Sequence, residues 1–114
     1  MKIYYNGFDS QEVTFKTASA VLPKKAVSLQ STGEIYYADA GGHFTGIVTS
    51  YDNGIASVVT RGYAVATFKN DPPTVGICKL TVGTMGNFEV NEETGKPYTV
   101  LGVDISSKTF EFIL

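Results

Sequence analysis

FTGIVTSYDNGIASVVT, residues 44–60, carries the clearest strand signal in the chain. Two runs rich in β-branched residues, 44–50 and 55–60, flank the turn sequence Tyr51-Asp52-Asn53-Gly54. Because Asn and Gly adopt positive φ at low cost, a Gly-ended turn between two such runs predicts a β-hairpin. Both runs are apolar on both faces, which predicts that the hairpin lies in the middle of a sheet rather than at its edge.

Similar short runs, rich in Val, Ile, Thr, Tyr and Phe, continue on both sides of this hairpin. They cover residues 12–16, 26–29, 34–38, 62–68, 76–82, 88–90, 98–104 and 109–114. Gly, Asn, Asp or Pro separates them, and Pro72-Pro73 marks the clearest loop because proline donates no backbone hydrogen bond. About nine or ten short strands at roughly 8–12-residue spacing are typical of a β-sandwich or β-barrel. We therefore predict an all-β, single-domain fold with mostly antiparallel strands, and leave barrel and sandwich as alternatives.

The composition fits one globular domain with a neutral surface. The chain has 114 residues, a net charge of −2 and 18% charged residues, against the usual ~25%. Low charge with seven Tyr and seven Phe argues against disorder, and favours a partner or self-assembly. The lysines and the single Arg61 are scattered, so no basic face is apparent and we predict no direct binding of nucleic acid.

The residues that report on cellular location are few. Cys78 is the only cysteine, so no intrachain disulfide can form, which is typical of a reducing compartment. The first residues lack the apolar centre of a signal peptide, and no apolar run approaches the ~20 residues of a membrane helix. We expect synthesis in the cytoplasm and no membrane association.

Each candidate for chemistry has a structural interpretation. His43 has no second His or Cys close in sequence to complete a zinc site, and we predict a surface loop position. Cys78 lies in an apolar run, where cysteine usually packs as a small hydrophobe. Asp52-Asn53-Gly54 resembles the start of a calcium loop, but Tyr63 stands where a bidentate Glu is required. We predict no catalytic residue, metal or cofactor, and therefore no enzyme.

The carboxylates raise one further alternative. Glycosidases need two facing carboxylates, and the sequence cannot place Glu92, Glu93, Asp104 and Glu111 relative to one another. We interpret them as solvated surface charges. Sugar-binding β-domains often present aromatic platforms, but this chain has no Trp.

The chain divides into an N-terminal arm or first strand, residues 1–24, and a β-domain, residues 25–114. Tyr4, Tyr5 and Phe8 are aromatic without the alternation of a strand. Two hypotheses fit them equally: a terminal strand that covers the core, or an arm that packs on a neighbouring subunit.

Residues 25–114 also resemble a known family in the order of their short patterns. These are a Gly-rich break before FTGIV (44–48), ASVVTRGY (56–63), a Pro-rich loop, and GKPYTVLGVD (95–104) before a short terminal strand. The order is similar to that of small capsid decoration, or head-stabilising, proteins of tailed phages and prophages of Gram-positive bacteria. The resemblance implies a non-enzymatic virion protein on the outside of the phage head. It would bind the major capsid protein where capsid subunits meet, as a homo-oligomer, with a trimer favoured.

Five residues are candidates for contacts in this function, and two alternative functions also fit the sequence. Tyr4, Tyr5, Phe8, Pro72 and Pro73 are the candidates for a subunit or capsid interface. One rival is another virion β-domain, such as a head fibre base or a tail-associated domain. The other is a carbohydrate- or small-ligand-binding β-barrel, which would need an apolar pocket.

Overall fold

The computed structural model describes residues 11–114, and this part of the chain is almost entirely β-structure. It contains ten strands and a single 3-10 turn at Thr84–Gly86. The strands are β1 (Gln11–Lys16), β2 (Ala26–Leu29), β3 (Ile35–Tyr37), β4 (Gly46–Asp52), β5 (Ile55–Arg61), β6 (Tyr63–Thr67), β7 (Gly76–Val82), β8 (Phe88–Val90), β9 (Lys96–Asp104) and β10 (Thr109–Ile113). The all-β prediction is confirmed, and β2, β7 and β8 have the predicted bounds.

The strands form two antiparallel sheets of five strands each, in a sandwich-like arrangement. Sheet A has the order β1-β5-β4-β2-β3, and sheet B has the order β6-β10-β9-β7-β8. The predicted hairpin is β4–β5, and β4 is the central strand of sheet A. The chain crosses from sheet A into sheet B at Gly62, whose φ of 94° favours glycine. A parallel bridge between Phe68 and Phe88 also links the residue after β6 to β8 at the far edge of sheet B.

The main core lies between the two sheets and is built around aromatic rings. Phe88 is fully buried, with ring centroids 5.3 Å from Phe44, 5.5 Å from Phe110 and 5.4 Å from Phe112. All three contacts are steeply tilted or edge-to-face, the geometry that aromatic quadrupoles favour. Side chains from β2, β4 and β5 complete this core from the side of sheet A.

Sheet A buries a second apolar cluster on its outer face. The buried members of this outer cluster are Val21, Val27, Ile35, Val48, Ala56 and Val58. Val21 belongs to the connector between β1 and β2 (residues 17–25), which lies across this face of the sheet. Lys24 N–H donates to Val48 O at 2.7 Å, and Val48 N–H donates to Lys25 O at 3.0 Å. The connector is therefore held to the central strand, and the centre of sheet A is buried on both faces.

The start of β9 departs from the sequence prediction. The predicted strand begins at Tyr98, yet Lys96 and Pro97 also pair with β7, opposite Leu80 and Lys79. The pairing of β9 with β10 extends only to Thr99, so Pro97 has a strand on one side alone. Proline is tolerated where one side of a strand is unpaired. In the part of the chain that the structure describes, no helix has the length and apolar character needed to cross a membrane.

Candidate functional site

A cleft of about 270 Å³ lies beside the loop that holds His43. Its lining residues are Gly41, Gly42, His43, Phe44, Thr45, Thr60, Leu80, Thr81, Val82, Thr94, Lys96, Tyr98 and Leu114. They come from the loop before β4, from β5, from β7, from the β8–β9 loop, from β9 and from the residue after β10. The cleft therefore opens where the two sheets meet.

Backbone hydrogen bonds hold the His43 loop in place above the cleft. Gly41 N–H donates to Val82 O at 2.7 Å, which ties the loop to the end of β7. Thr45 N–H donates to Val27 O at 2.7 Å, which ties the other end of the loop to β2. Gly41 has a φ of 74°, so this turn favours glycine. His43 lies on this loop at the surface, as predicted, and lines the cleft.

Tyr98 and Phe44 give the cleft an aromatic wall. Their ring centroids are 6.3 Å apart, and the Tyr98 ring also packs edge-to-face on Phe112 at 5.6 Å. Burial raises the pKa of the Tyr98 phenol above its usual value near 10, because desolvation disfavours the phenolate. The phenol keeps its proton at neutral pH and can donate a hydrogen bond.

The polar groups of the cleft can all form hydrogen bonds. Besides Tyr98 they are the hydroxyls of four threonines, the Lys96 ammonium and the His43 imidazole. The set can donate hydrogen bonds to a small polar ligand that stacks on the aromatic wall.

The other candidates for chemistry lie apart from the cleft. Cys78 is buried in the main core, in agreement with the predicted packing role. Asp52-Asn53-Gly54 forms the β4–β5 turn, with positive φ at Asn53 and Gly54, so the turn interpretation is confirmed. Over residues 11–114 no group of three or more His, Cys, Asp or Glu side chains could hold a metal ion.

The late carboxylates have local structural partners or lie in loops. Asp104 follows the Asx-turn pattern at the end of β9, where its carboxylate accepts hydrogen bonds from Ser106 and Ser107. The hydrogen bond from the Ser106 side chain is the main reason that the pKa of Asp104 is lowered. Glu92 and Glu93 lie in the β8–β9 loop, where the Asn91 side chain accepts a hydrogen bond from Glu93 N–H.

The five interface candidates divide into two groups. Tyr4, Tyr5 and Phe8 fall outside the described residues. Pro72 is exposed in the β6–β7 loop, whereas Pro73 is buried. In this loop the ring of Pro72 is therefore the one available to a partner.

Sequence reasoning missed the exposed apolar side chains around sheet B. Ile77 is 72% exposed on β7, opposite Thr99 of β9, and Val75 is 67% exposed just before β7. Ile105 is 70% exposed and borders an open groove with Val65 and Leu101. Alternation could have revealed Ile77, because Cys78, Leu80 and Val82 occupy the inward positions of the same strand.

A second feature that the sequence did not reveal is a polar junction between the two sheets. Lys25 Nζ donates to Thr67 Oγ1 at 3.0 Å and to Asn87 Oδ1 at 2.5 Å, and Thr67 Oγ1 donates to the same amide oxygen at 2.7 Å. Desolvation lowers the pKa of Lys25. The junction joins the end of the connector to β6 and to the residue before β8, so we interpret it as structural.

No protein-family model matches this chain, and comparison with curated proteins finds no match either.

Proposed function

We propose that this chain is a non-enzymatic virion structural protein that decorates and stabilises a tailed-phage head. In this proposal it binds the major capsid protein where capsid subunits meet, as a homo-oligomer, with a trimer favoured. The proposal starts from the resemblance of residues 25–114 to capsid decoration proteins. One observation carries it: large apolar side chains stand exposed on and beside sheet B, with Ile77 on β7, Val75 just before β7 and Ile105 just after β9.

Exposed apolar groups on a fixed backbone suit a contact surface for another protein. Burial of apolar area is the main favourable term in protein association, and clustered exposed patches commonly mark interaction sites. Ile77 lies within the β7–β9 ladder, so its backbone is already ordered before binding. Pre-ordered groups lose little conformational entropy when a partner covers them.

Such binding would stabilise the head by mass action. A protein that binds the mature capsid lattice better than its separate subunits shifts the equilibrium toward the assembled shell. Many copies on one lattice allow each contact to be modest.

The test is to add the full-length protein to expanded heads that lack it and to measure co-sedimentation and the temperature of head disruption. We expect saturable binding and a higher disruption temperature. The Ile77→Asp variant should bind at least about tenfold more weakly, because it places a charge in an apolar contact. Thr32→Asp, a matched change in the β2–β3 turn of sheet A, should bind normally. Failure to bind heads, or binding to tails instead, would refute the decoration role.

The cleft favours a second candidate function, binding of a small polar ligand such as a sugar. Tyr98 and Phe44 would form the stacking wall, and the threonine hydroxyls would form the polar rim. Titration of the protein with monosaccharides, followed by NMR, should shift the resonances of His43 and Thr45. Tyr98→Phe should weaken those shifts. Unchanged spectra at saturating sugar would exclude this function.

A further inference from the structure

The free edge of β1 has features that suit pairing with another strand. β1 pairs with β5 on one side and forms the end of sheet A in the order of the described strands. Five of its six residues are exposed, and Val13 is 43% exposed. An exposed strand at a sheet edge presents unpaired backbone groups that another chain can use.

The phase of the β1–β5 ladder shows which backbone groups face outward. Thr17 N–H donates to Gly54 O at 2.9 Å, and the same register places Phe15 opposite Ala56 and Val13 opposite Val58. In an antiparallel ladder every second residue exchanges hydrogen bonds with its partner strand. The odd-numbered residues of β1 therefore bond to β5. The N–H and C=O groups of Glu12, Thr14 and Lys16 point to the free edge.

The sequence of β1 is complementary to itself around Thr14. In an antiparallel pair of two copies centred on Thr14, Glu12 of one copy lies opposite Lys16 of the other. Val13 lies opposite Phe15 in the same way. Glu12 and Lys16, which carry the opposite charges, are also residues whose backbone groups face the free edge. The hydrogen-bonding phase and the charges therefore favour the same register.

We propose that β1 pairs with β1 of a second copy of this chain around a two-fold axis at Thr14. The pair joins sheet A of each copy into one continuous antiparallel sheet. Each Thr14 exchanges both backbone bonds with the Thr14 of the other copy, and Glu12 does the same with Lys16. Opposite charges in facing cross-strand positions stabilise this register.

Apolar contact supports the same arrangement. Phe15 is half-buried and packs on the outer cluster of sheet A, next to the exposed Val13 on the same face of β1. Pairing brings Val13 of one copy against Phe15 of the other. The outer cluster of sheet A then continues from one copy into the other.

The exposed Glu12 carboxylate is bound within its own sheet in the single chain. It accepts a hydrogen bond from Thr49 Oγ1 of β4 at 2.8 Å, across β5, so pairing requires it to turn toward the free edge and exchange this bond for the Lys16 ammonium of the other copy. The contact is isologous, because the same strand contributes from both copies. It is separate from the trimer favoured above and does not rest on the proposed function.

A rival explanation is that Glu12 and Lys16 protect the edge and keep the chain monomeric, since edge strands often carry charges for this purpose. Variants that exchange the charges at positions 12 and 16 distinguish the two explanations. Sedimentation velocity of the full-length protein over a range of concentrations at low salt should reveal a dimer or an even-numbered assembly. Lys16→Glu and Glu12→Lys each place like charges opposite one another twice, and each should weaken the dimer about tenfold.

An equimolar mixture of these two single variants should form a heterodimer, because one then carries only acidic and the other only basic groups at the pairing positions. The double variant E12K/K16E should restore the homodimer. Glu92→Lys makes the same charge change as Glu12→Lys on an exposed residue of the β8–β9 loop and should leave association unchanged.

Thr14→Pro gives an independent test of the backbone pairing. It removes an N–H that points to the free edge and leaves the bonds between β1 and β5 in place. We expect an assembly with half the mass of the original one, and a thermal unfolding midpoint close to that of the original chain. A chain that is monomeric at every concentration reached would overturn the proposal. An oligomer that tolerates both Thr14→Pro and Lys16→Glu would also overturn it.

Discussion

The two sheets cover their outer faces in different ways, although both have five antiparallel strands. The outer face of sheet A is buried under the β1–β2 connector, with Val21 only 2% exposed. The outer face of sheet B has no such cover among the described residues, and Ile77 stays 72% exposed there. A connector that crosses a sheet thus buries apolar side chains on its outer face, whereas sheet B, without such a connector among the described residues, leaves Ile77 exposed.

The largest effect that would test this comparison concerns the core that both sheets share. Phe88→Ala removes the ring that contacts Phe44, Phe110 and Phe112, and leaves a cavity in the main core. We expect the free energy of unfolding to fall by about 3–5 kcal/mol, measured by urea denaturation. Met85→Ala in the adjacent exposed turn should change it by less than about 0.5 kcal/mol. Similar losses in the two variants would mean that Phe88 is not central to the core.

A smaller loss of stability is expected from a change in the outer cluster, which the connector covers on sheet A. Val21→Ala should lower the free energy of unfolding by about 2 kcal/mol, because it removes buried methyl groups from the outer cluster. Its neighbour Leu22 is 61% exposed, so Leu22→Ala is the matched control and should be nearly neutral. Hydrogen exchange of Val48 N–H, which bonds to Lys25 O, should accelerate in Val21→Ala alone. Equal effects of both variants would show that the connector does not cover this face.

The smallest effect concerns the cleft where the sheets meet, and it depends on pH. The pKa of Tyr98 is raised in the folded state by burial, so above pH 10 the unfolded chain releases this proton first. Its contribution to stability is complete below the unfolded pKa and is lost as the pH rises through the folded pKa. The original chain should therefore lose stability above pH 10 more steeply than Tyr98→Phe. Parallel stability curves for the two proteins, measured by denaturation from neutral to alkaline pH, would contradict the burial of the phenol.

Local sequence patterns predicted the strands well because strand formation depends on short-range features. The β4–β5 hairpin follows from β-branched runs around Asn53-Gly54, and the structure has its strands at Gly46–Asp52 and Ile55–Arg61. The predicted start of β9 at Tyr98 was less accurate, because Lys96 and Pro97 extend the strand. Whether a proline can lie in a strand depends on which neighbours that strand has, and this is a tertiary property.

The candidate cleft was only partly predictable. His43 was singled out as a loop residue, but its proximity to Tyr98 and Lys96 depends on how β7 and β9 pair and on the bond from Gly41 to Val82. The polar junction of Lys25, Thr67 and Asn87 joins residues far apart in the chain. Such contacts form only after the two sheets pack, so no local pattern marks them.

By itself, the sequence determined an all-β domain, the positions of most of its strands and the central place of the β4–β5 hairpin. Side-chain alternation and turn residues act over a few positions, and they are visible in one dimension. Only the tertiary structure decided that the strands divide into two sheets, that Val21 covers one outer face, and that β1 lies at an edge. These features depend on which distant strands pair, and the free energy of that choice comes from burial shared across the whole chain.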